Sequence, residues 1–183
     1  MNACITSLTM IGVVYDGLLK HCKKGVTGMT REEKQSYMKE ALTEAEKCAA
    51  AGDVPVGCVV VENGRIVGRG RNLREARASA TSHAEIVAIE DACARLGRRN
   101  LKGASIFVTL EPCPMCAGAI MLARIDEIYI GALDFTTGAC GSKFNLFDWD
   151  MAPKPKIEYG VLKDDCARII SRFFEKMRKS ADI

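Results

Sequence analysis

The sequence His83-Ala84-Glu85, followed downstream by Pro112-Cys113-Pro114-Met115-Cys116, decides the fold of this 183-residue chain and its chemistry. A histidine and two cysteines can hold one zinc ion and leave its fourth tetrahedral position open. Three protein ligands rather than four are typical of a catalytic zinc site. We therefore predict that His83, Cys113 and Cys116 bind one Zn²⁺ per chain, with Glu85 as the catalytic residue that moves protons beside it.

Both halves of this pattern lie at the predicted starts of helices. Cys113 and Cys116 are three residues apart, so their sulfurs face the same side of a helix. Free N–H groups and the positive end of the helix dipole stabilise thiolates there. The residues between His83 and Cys113 suffice for a helix, a turn and a returning strand. This connection predicts that both helix starts meet at one end of a sheet.

The rest of the chain has the pattern of an α/β domain. A strand over 54–61, the Asn63-Gly64 turn and a partner strand over 65–70 form a predicted hairpin. Strands at 104–109 and 126–131, and a fifth at 156–159, alternate with helices. This order predicts one mixed five-stranded sheet covered by helices. The last helix carries an apolar stripe that we expect to be buried: Cys166, Ile169, Ile170, Phe173, Phe174 and Met177.

Composition narrows the class of protein. A hydrophobic fraction of 48% fits an ordinary globular core, and no apolar run approaches the ~18 residues of a membrane span. Nine cysteines are an odd number, and no secretion signal precedes them, so we predict a reducing, cytoplasmic location. With His83 as the single histidine outside the N-terminal stretch, a histidine-rich metal site is excluded.

Residues 1–28 differ from the remainder. They mix apolar and basic residues without a lasting period, and a capping-box pattern begins only at Thr30. We predict that 1–28 is a peripheral N-terminal extension, or lies before the native start at Met29. Residues 29–183 form the predicted catalytic domain.

Three features have simpler interpretations that stay open. The net charge of +3 is mild, and the basic clusters over 65–102 and 176–179 fit either a phosphate backbone or a solvated surface. Ser82 and Glu85 have the spacing of a capping box. Cys113-x-x-Cys116 alone fits a redox pair.

Segments beyond the zinc motif resemble the tRNA-specific adenosine deaminases of bacteria. The zinc motif is shared by the whole superfamily of zinc nucleobase deaminases, so the flanking segments carry the resemblance. It covers roughly residues 30–179. Those segments are Val54-Pro55-Val56-Gly57, Gly70-Arg71-Asn72, Thr109-Leu110-Glu111-Pro112, Ala117-Gly118-Ala119-Ile120, Thr137-Gly138-Ala139-Cys140-Gly141-Ser142 and Phe173-Phe174.

The resemblance implies a cytidine deaminase-like three-layer α/β/α fold and a homodimer. It also implies that zinc-activated water converts adenosine to inosine at the wobble position of a tRNA anticodon, in an arginine tRNA. The partner would be the anticodon stem-loop, whose unpaired base enters a pocket and whose stem-loop meets the last helix. The implied substrate-binding residues are Val56, Asn72, Ala84, Glu111, Pro112 and Asp134.

The chain departs from the family pattern at the expected RNA face. Ala78-Ser79-Ala80-Thr81-Ser82 replaces a stretch with an aspartate-proline pair, and Leu133 and Phe135-Thr136 replace residues that are often basic or small. Two other functions fit parts of the pattern. One is a deaminase of free nucleobases or nucleosides, of guanine or cytosine type. The other is a non-catalytic zinc or redox module, for which Glu85 would have no use.

Overall fold

The computed structural model describes residues 28–50, 52–150 and 154–181. These residues form four helices, five strands and one short 3₁₀ turn at Leu146–Asp148, with the first helix preceding the hairpin of the first two strands. In chain order they are α1 (Arg31–Ala50), β1 (Gly57–Glu62), β2 (Arg65–Arg71), α2 (Ala84–Leu96), β3 (Ser105–Leu110), α3 (Pro114–Ala123), β4 (Glu127–Ala132), β5 (Lys156–Tyr159) and α4 (Lys163–Ala181).

The five strands form one mixed sheet in the order β2-β1-β3-β4-β5. β1 pairs antiparallel with both β2 and β3, whereas β3, β4 and β5 are parallel. Asn63 and Gly64 form the tight turn of the hairpin with φ values of 50° and 73°. The predicted hairpin and the mixed five-stranded sheet are thereby confirmed.

Helices cover both faces of the sheet, which gives the three layers expected. α2 and α3 pack together on one face, and α1 contacts α4 on the other. Successive strand residues point to opposite faces. Val60 and Ile106 therefore lie in the core beneath α2 and α3, whereas Phe107 stacks on Tyr129 with ring centroids 4.5 Å apart and approaches Tyr37 of α1.

Two glycines allow the helices to approach the sheet closely. A Cβ on Gly57 would lie 1.9 Å from the Ala41 carbonyl oxygen of α1, and one on Gly70 would lie 2.1 Å from the Ala84 oxygen of α2. Real Cβ atoms do not come that near to backbone, so any side chain here would displace a helix. Gly70 in β2 therefore allows the first turn of α2 to lie this close to the sheet.

The stripe on α4 is only partly buried, which corrects the sequence prediction. Cys166 is fully buried, but Phe174 and Met177 are 44% and 53% exposed. A helix of this length spans about 28 Å, whereas a six-residue strand such as β4 spans about 20 Å. The last turns of α4 therefore extend beyond the layer that its first turns cover.

Residues 1–27 lie outside the described part of the chain, so the predicted extension remains a prediction. Within the described part, no helix has the length and apolar character needed to cross a membrane.

Candidate metal centre and catalytic pocket

The two halves of the zinc motif occupy equivalent positions at two helix starts. His83 is the N-cap of α2 and Cys113 is the N-cap of α3, both with extended backbone. Pro114 occupies the first turn of α3, where its missing N–H costs nothing. The side chain of neither cap residue bonds its own helix. Both are therefore free to point at a common centre.

His83, Cys113 and Cys116 bring their ligand atoms within 4.8 Å of one another. The Cys113 Sγ lies 3.7 Å from the His83 Nδ1. Tetrahedral zinc with its usual bond lengths places ligand atoms about 3.5 to 4 Å apart. The donor set and its spacing therefore fit one zinc ion. No other histidine, cysteine or acid of the described residues joins this cluster.

Hydrogen bonds within the cluster shift the pKa values of the two thiols in opposite directions. The Cys116 thiol donates to the Cys113 sulfur, and this bond, with help from His83 and against burial, lowers the pKa of Cys113 to about 4. The same bond, together with burial, raises the pKa of Cys116 far above its usual value. The bond with Cys113 also raises the pKa of His83, opposed by burial and by the charge of Arg74. The lowered pKa of Cys113 favours the thiolate form that metal binding needs.

Glu85 lies in the first turn of α2 and is only 3% exposed. Burial raises its pKa to about 7, and the nearby Cys113 adds to this effect. A carboxyl group with a pKa near the working pH can both accept and donate a proton. His83 rather than Ser82 is the N-cap of α2, so Ser82 and Glu85 do not hold the N-cap and N3 positions that a capping box requires. This arrangement favours the catalytic interpretation over the capping box.

A cavity of about 170 Å³ opens beside the cluster. Its wall contains Glu85, His83 and Cys113, and five of the six residues predicted to contact substrate: Val56, Asn72, Ala84, Glu111 and Asp134. The sixth, Pro112, is buried outside this wall, and its carbonyl oxygen accepts the Ala139 N–H at 2.9 Å. A larger cleft of about 530 Å³ between the starts of α1 and α4 contains none of the predicted site residues.

Four residues of the wall were not predicted from the sequence: Val54, Arg74, Leu110 and Thr137. Val54 and Leu110 lie within segments quoted for the resemblance, next to residues predicted to contact substrate, and this proximity in sequence was the available signal. Arg74 was seen only as one member of a basic cluster. Thr137 was quoted as part of a resembling segment without a role.

Two buried carboxylates hold the loops that form opposite walls of the cavity. Asp53, 1% exposed, accepts the backbone N–H groups of Glu75 and Ala76 at 2.8 and 3.2 Å. Glu111, 3% exposed, accepts those of Asp134, Cys140 and Ser142 at 3.0 to 3.1 Å. Buried carboxylates satisfied in this way stabilise irregular loops.

The carboxylate of Asp134 is bonded within its own loop. It accepts the N–H groups of Thr136 and Thr137 and the Thr137 hydroxyl, at 2.6 to 3.2 Å. Although partial burial opposes it, these bonds hold the pKa of Asp134 below its usual value. Asp134 stays ionised and shapes the rim of the cavity.

Asn72 offers an unsatisfied atom to the cavity. Its side chain is 7% exposed, and its Nδ2 donates to the Val54 carbonyl oxygen at 3.2 Å. Its Oδ1 is the one buried side-chain N or O atom of the described residues that lacks a hydrogen-bond partner. Buried polar atoms rarely stay unpaired, so the atom is suited to a donor group on a ligand.

Comparison with known proteins agrees with this geometry. Residues 31–132 match the model of the cytidine and deoxycytidylate deaminase zinc-binding region, which is more than half of the chain. The chain belongs to this family of zinc-dependent deaminases. Its fold, its three-residue metal cluster and its cysteine motif are those of a hydrolytic deaminase.

Individual relatives are more specific. The chain is 43% identical to the tRNA-specific adenosine deaminase of Bacillus subtilis over 82% of this chain and 93% of the relative. A solved tRNA:A34 deaminase is 38% identical with a TM-score of 0.70, covering 73% of this chain and 98% of that one. The guanine deaminase of Bacillus subtilis is 37% identical with a TM-score of 0.53, over 57% of this chain and 66% of that one.

Proposed function

We propose that this protein converts adenosine to inosine at the wobble position of a tRNA anticodon, in an arginine tRNA. The proposal rests mainly on one observation. The candidate zinc ligands His83, Cys113 and Cys116 lie beside the buried Glu85 carboxyl, at a cavity of about the size of a nucleobase. The likeness to tRNA-specific adenosine deaminases over most of the chain supports adenosine in RNA as the substrate.

The proposed reaction adds water to the purine C6 and releases ammonia. His83, Cys113 and Cys116 would hold a zinc ion, which when bound would lower the pKa of a water molecule toward neutrality and so supply a nucleophile at pH 7. Glu85 would take one proton from the attacking water and pass it to the ring N1. It would then move the remaining proton of the added oxygen to the amino group, so that the C6–N bond breaks, ammonia leaves and the C6 carbonyl of inosine forms. One buried carboxyl acting in both directions needs a pKa near neutrality, as Glu85 has.

The other wall residues orient the nucleotide. Asn72 Oδ1 is positioned to accept a donor from the base or its ribose, because Nδ2 is already bonded to Val54. Val56 offers an apolar surface to the base, and the backbone of Ala84 and Glu111 lies at its edge. In this proposal Asp134 contacts the sugar-phosphate chain near the target, and Pro112 supports the wall from behind.

A homodimer in the cytoplasm is part of the proposal. The side chain of Leu122 on α3 is 79% exposed and gives apolar surface that a second copy can cover. Light scattering during gel filtration measures the mass directly. A monomer at micromolar concentration would contradict this part alone.

One experiment tests the substrate. The purified protein is incubated separately with an arginine tRNA anticodon stem-loop, free adenosine, guanine and cytidine, and the products are identified by mass. We expect inosine at the wobble position of the stem-loop and little change in the free compounds. Conversion of guanine instead would favour the alternative function suggested by the likeness to guanine deaminase.

A further inference from the structure

We propose that Arg74 binds a phosphate group adjoining the target nucleotide, and that this contact makes the enzyme prefer a polynucleotide to a free nucleoside. The inference rests on the proposed function, because it assigns a contact to the same substrate site. It concerns a residue that the sequence placed only in a diffuse basic cluster.

Arg74 lies where the phosphates must pass. The cavity of about 170 Å³ is smaller than the roughly 300 to 1,000 Å³ of sites that enclose drug-sized ligands. It therefore holds the base and leaves the sugar-phosphate chain at its mouth. Arg74 is exposed and also lines the cavity together with Asn72 and His83.

The charge of Arg74 is not balanced by the acids around it. Both oxygens of Glu111 are occupied by backbone N–H groups, and both oxygens of Asp134 are occupied within its own loop. Glu85 is buried. Of the described residues, none forms an ion pair with Arg74, whereas Arg69 and Arg71 on the neighbouring strand are paired with Glu44.

The backbone of Arg74 is held in place. The next two residues donate their N–H groups to the buried Asp53, and the Arg74 carbonyl oxygen accepts the Ser79 N–H at 2.9 Å. A guanidinium group on a fixed backbone can bind a phosphate through two parallel hydrogen bonds. Arg74 therefore places an unpaired cation on a fixed loop, at the mouth of a cavity of about the size of a nucleobase. Recognition of an adjoining phosphate needs this arrangement.

A double-mutant cycle tests the contact. The enzyme carries Arg74→Gln, and the stem-loop carries an uncharged methylphosphonate at either phosphate flanking the target adenosine. Each change alone should lower kcat/KM about tenfold, mainly through KM. Combined at the contacted phosphate, they should cost little more than one alone, because both remove the same interaction. Arg74→Gln should also reduce the salt dependence of stem-loop binding by the equivalent of about one phosphate.

Arg77→Gln is the matched control, because Arg77 is exposed on the same loop but does not line the cavity. When Arg77→Gln is combined with either methylphosphonate, the fold-losses in kcat/KM should multiply, because the two changes affect different interactions. Bound zinc, measured in every variant, should stay at one per chain. Multiplicative effects of Arg74→Gln at both phosphates, or loss of zinc from that variant, would overturn the inference. If the wild-type protein makes no inosine from the unmodified stem-loop, the proposed function itself fails.

Discussion

At the scale of single residues, the fold gives Glu85 an environment unlike that of an ordinary first-turn glutamate. It is a first-turn helical glutamate in the sequence, and such residues usually interact with the helix dipole at the surface. Here it is buried, its pKa is raised to about 7, and it lies beside the His83–Cys113–Cys116 cluster. A carboxylate that is costly to bury is retained where its proton transfer is useful.

Replacement of Glu85 by glutamine should abolish turnover without removing zinc. The amide keeps the shape of the side chain but cannot accept the proton from water, so the rate should fall by at least about 10³-fold. Single-turnover assays give the rate, and metal analysis gives the zinc content. Glu90→Gln, on the exposed side of the same helix, should behave as wild type. Appreciable activity in Glu85→Gln would remove this residue from the mechanism.

Replacement of Cys113 by alanine should remove the metal. Loss of one of three protein ligands leaves too few donors for a tight zinc site, and activity should fall to background. The matched control is Cys93→Ala, a cysteine of α2 that lies outside the cluster. It should retain one zinc per chain. Full zinc occupancy and activity in Cys113→Ala would show that the cluster is not the metal site.

At the scale of elements, the distance between α2 and the sheet determines where the residues at the start of α2 lie. The N-cap and first turn of α2 supply His83, Ala84 and Glu85, and this turn rests directly on Gly70 of β2. On the other side, Cys113 is the N-cap of α3, a short connection after the end of β3 at Leu110. The site is therefore assembled from two helix starts. The close approach of α2 to the sheet depends on the absence of a side chain at Gly70.

Replacement of Gly70 by alanine should displace the start of α2 and thereby disturb the metal centre. The new Cβ would lie 2.1 Å from the Ala84 oxygen and 2.4 Å from the Ala88 nitrogen, so α2 must move. We expect a loss of about 1 to 3 kcal/mol in the free energy of unfolding and weaker zinc binding. Denaturant titration and competition with a chelator measure these effects.

Gly28→Ala is the control for this change, because no atom of the described residues lies within 4 Å of a Cβ built on Gly28. It should leave both the unfolding free energy and the zinc affinity unaltered. Wild-type stability and zinc affinity in Gly70→Ala would mean that α2 does not depend on this close contact.

At the scale of the whole molecule, the family match begins at Arg31, where α1 starts. α1 is integral to the domain, since Met38, Ala41, Ala45 and Cys48 are fully buried against the sheet. Lys34 of α1 also bonds Glu158 of β5 at 2.6 Å. The domain boundary predicted from the sequence falls just before this helix.

Deletion of residues 1–28 should leave folding, zinc content and deamination of the stem-loop unchanged, because no predicted site residue lies in that segment. Thermal unfolding and the initial rate of inosine formation measure the outcome. A shorter deletion of residues 1–14 separates effects of the segment from effects of a start close to α1. A truncated protein that unfolds or loses zinc would show that the extension belongs to the domain.

The sequence by itself determined the fold class, most element boundaries and the three residues that the structure brings together as a candidate metal cluster. These follow from local information: periodicity, the Asn63-Gly64 turn, and ligand types at the starts of two helices. The sequence did not reveal the unpaired Asn72 oxygen, the loop-holding roles of Asp53 and Glu111, or the exposed end of α4. Only the tertiary structure decided these, because burial and bonding partners are set when segments distant in the chain come together.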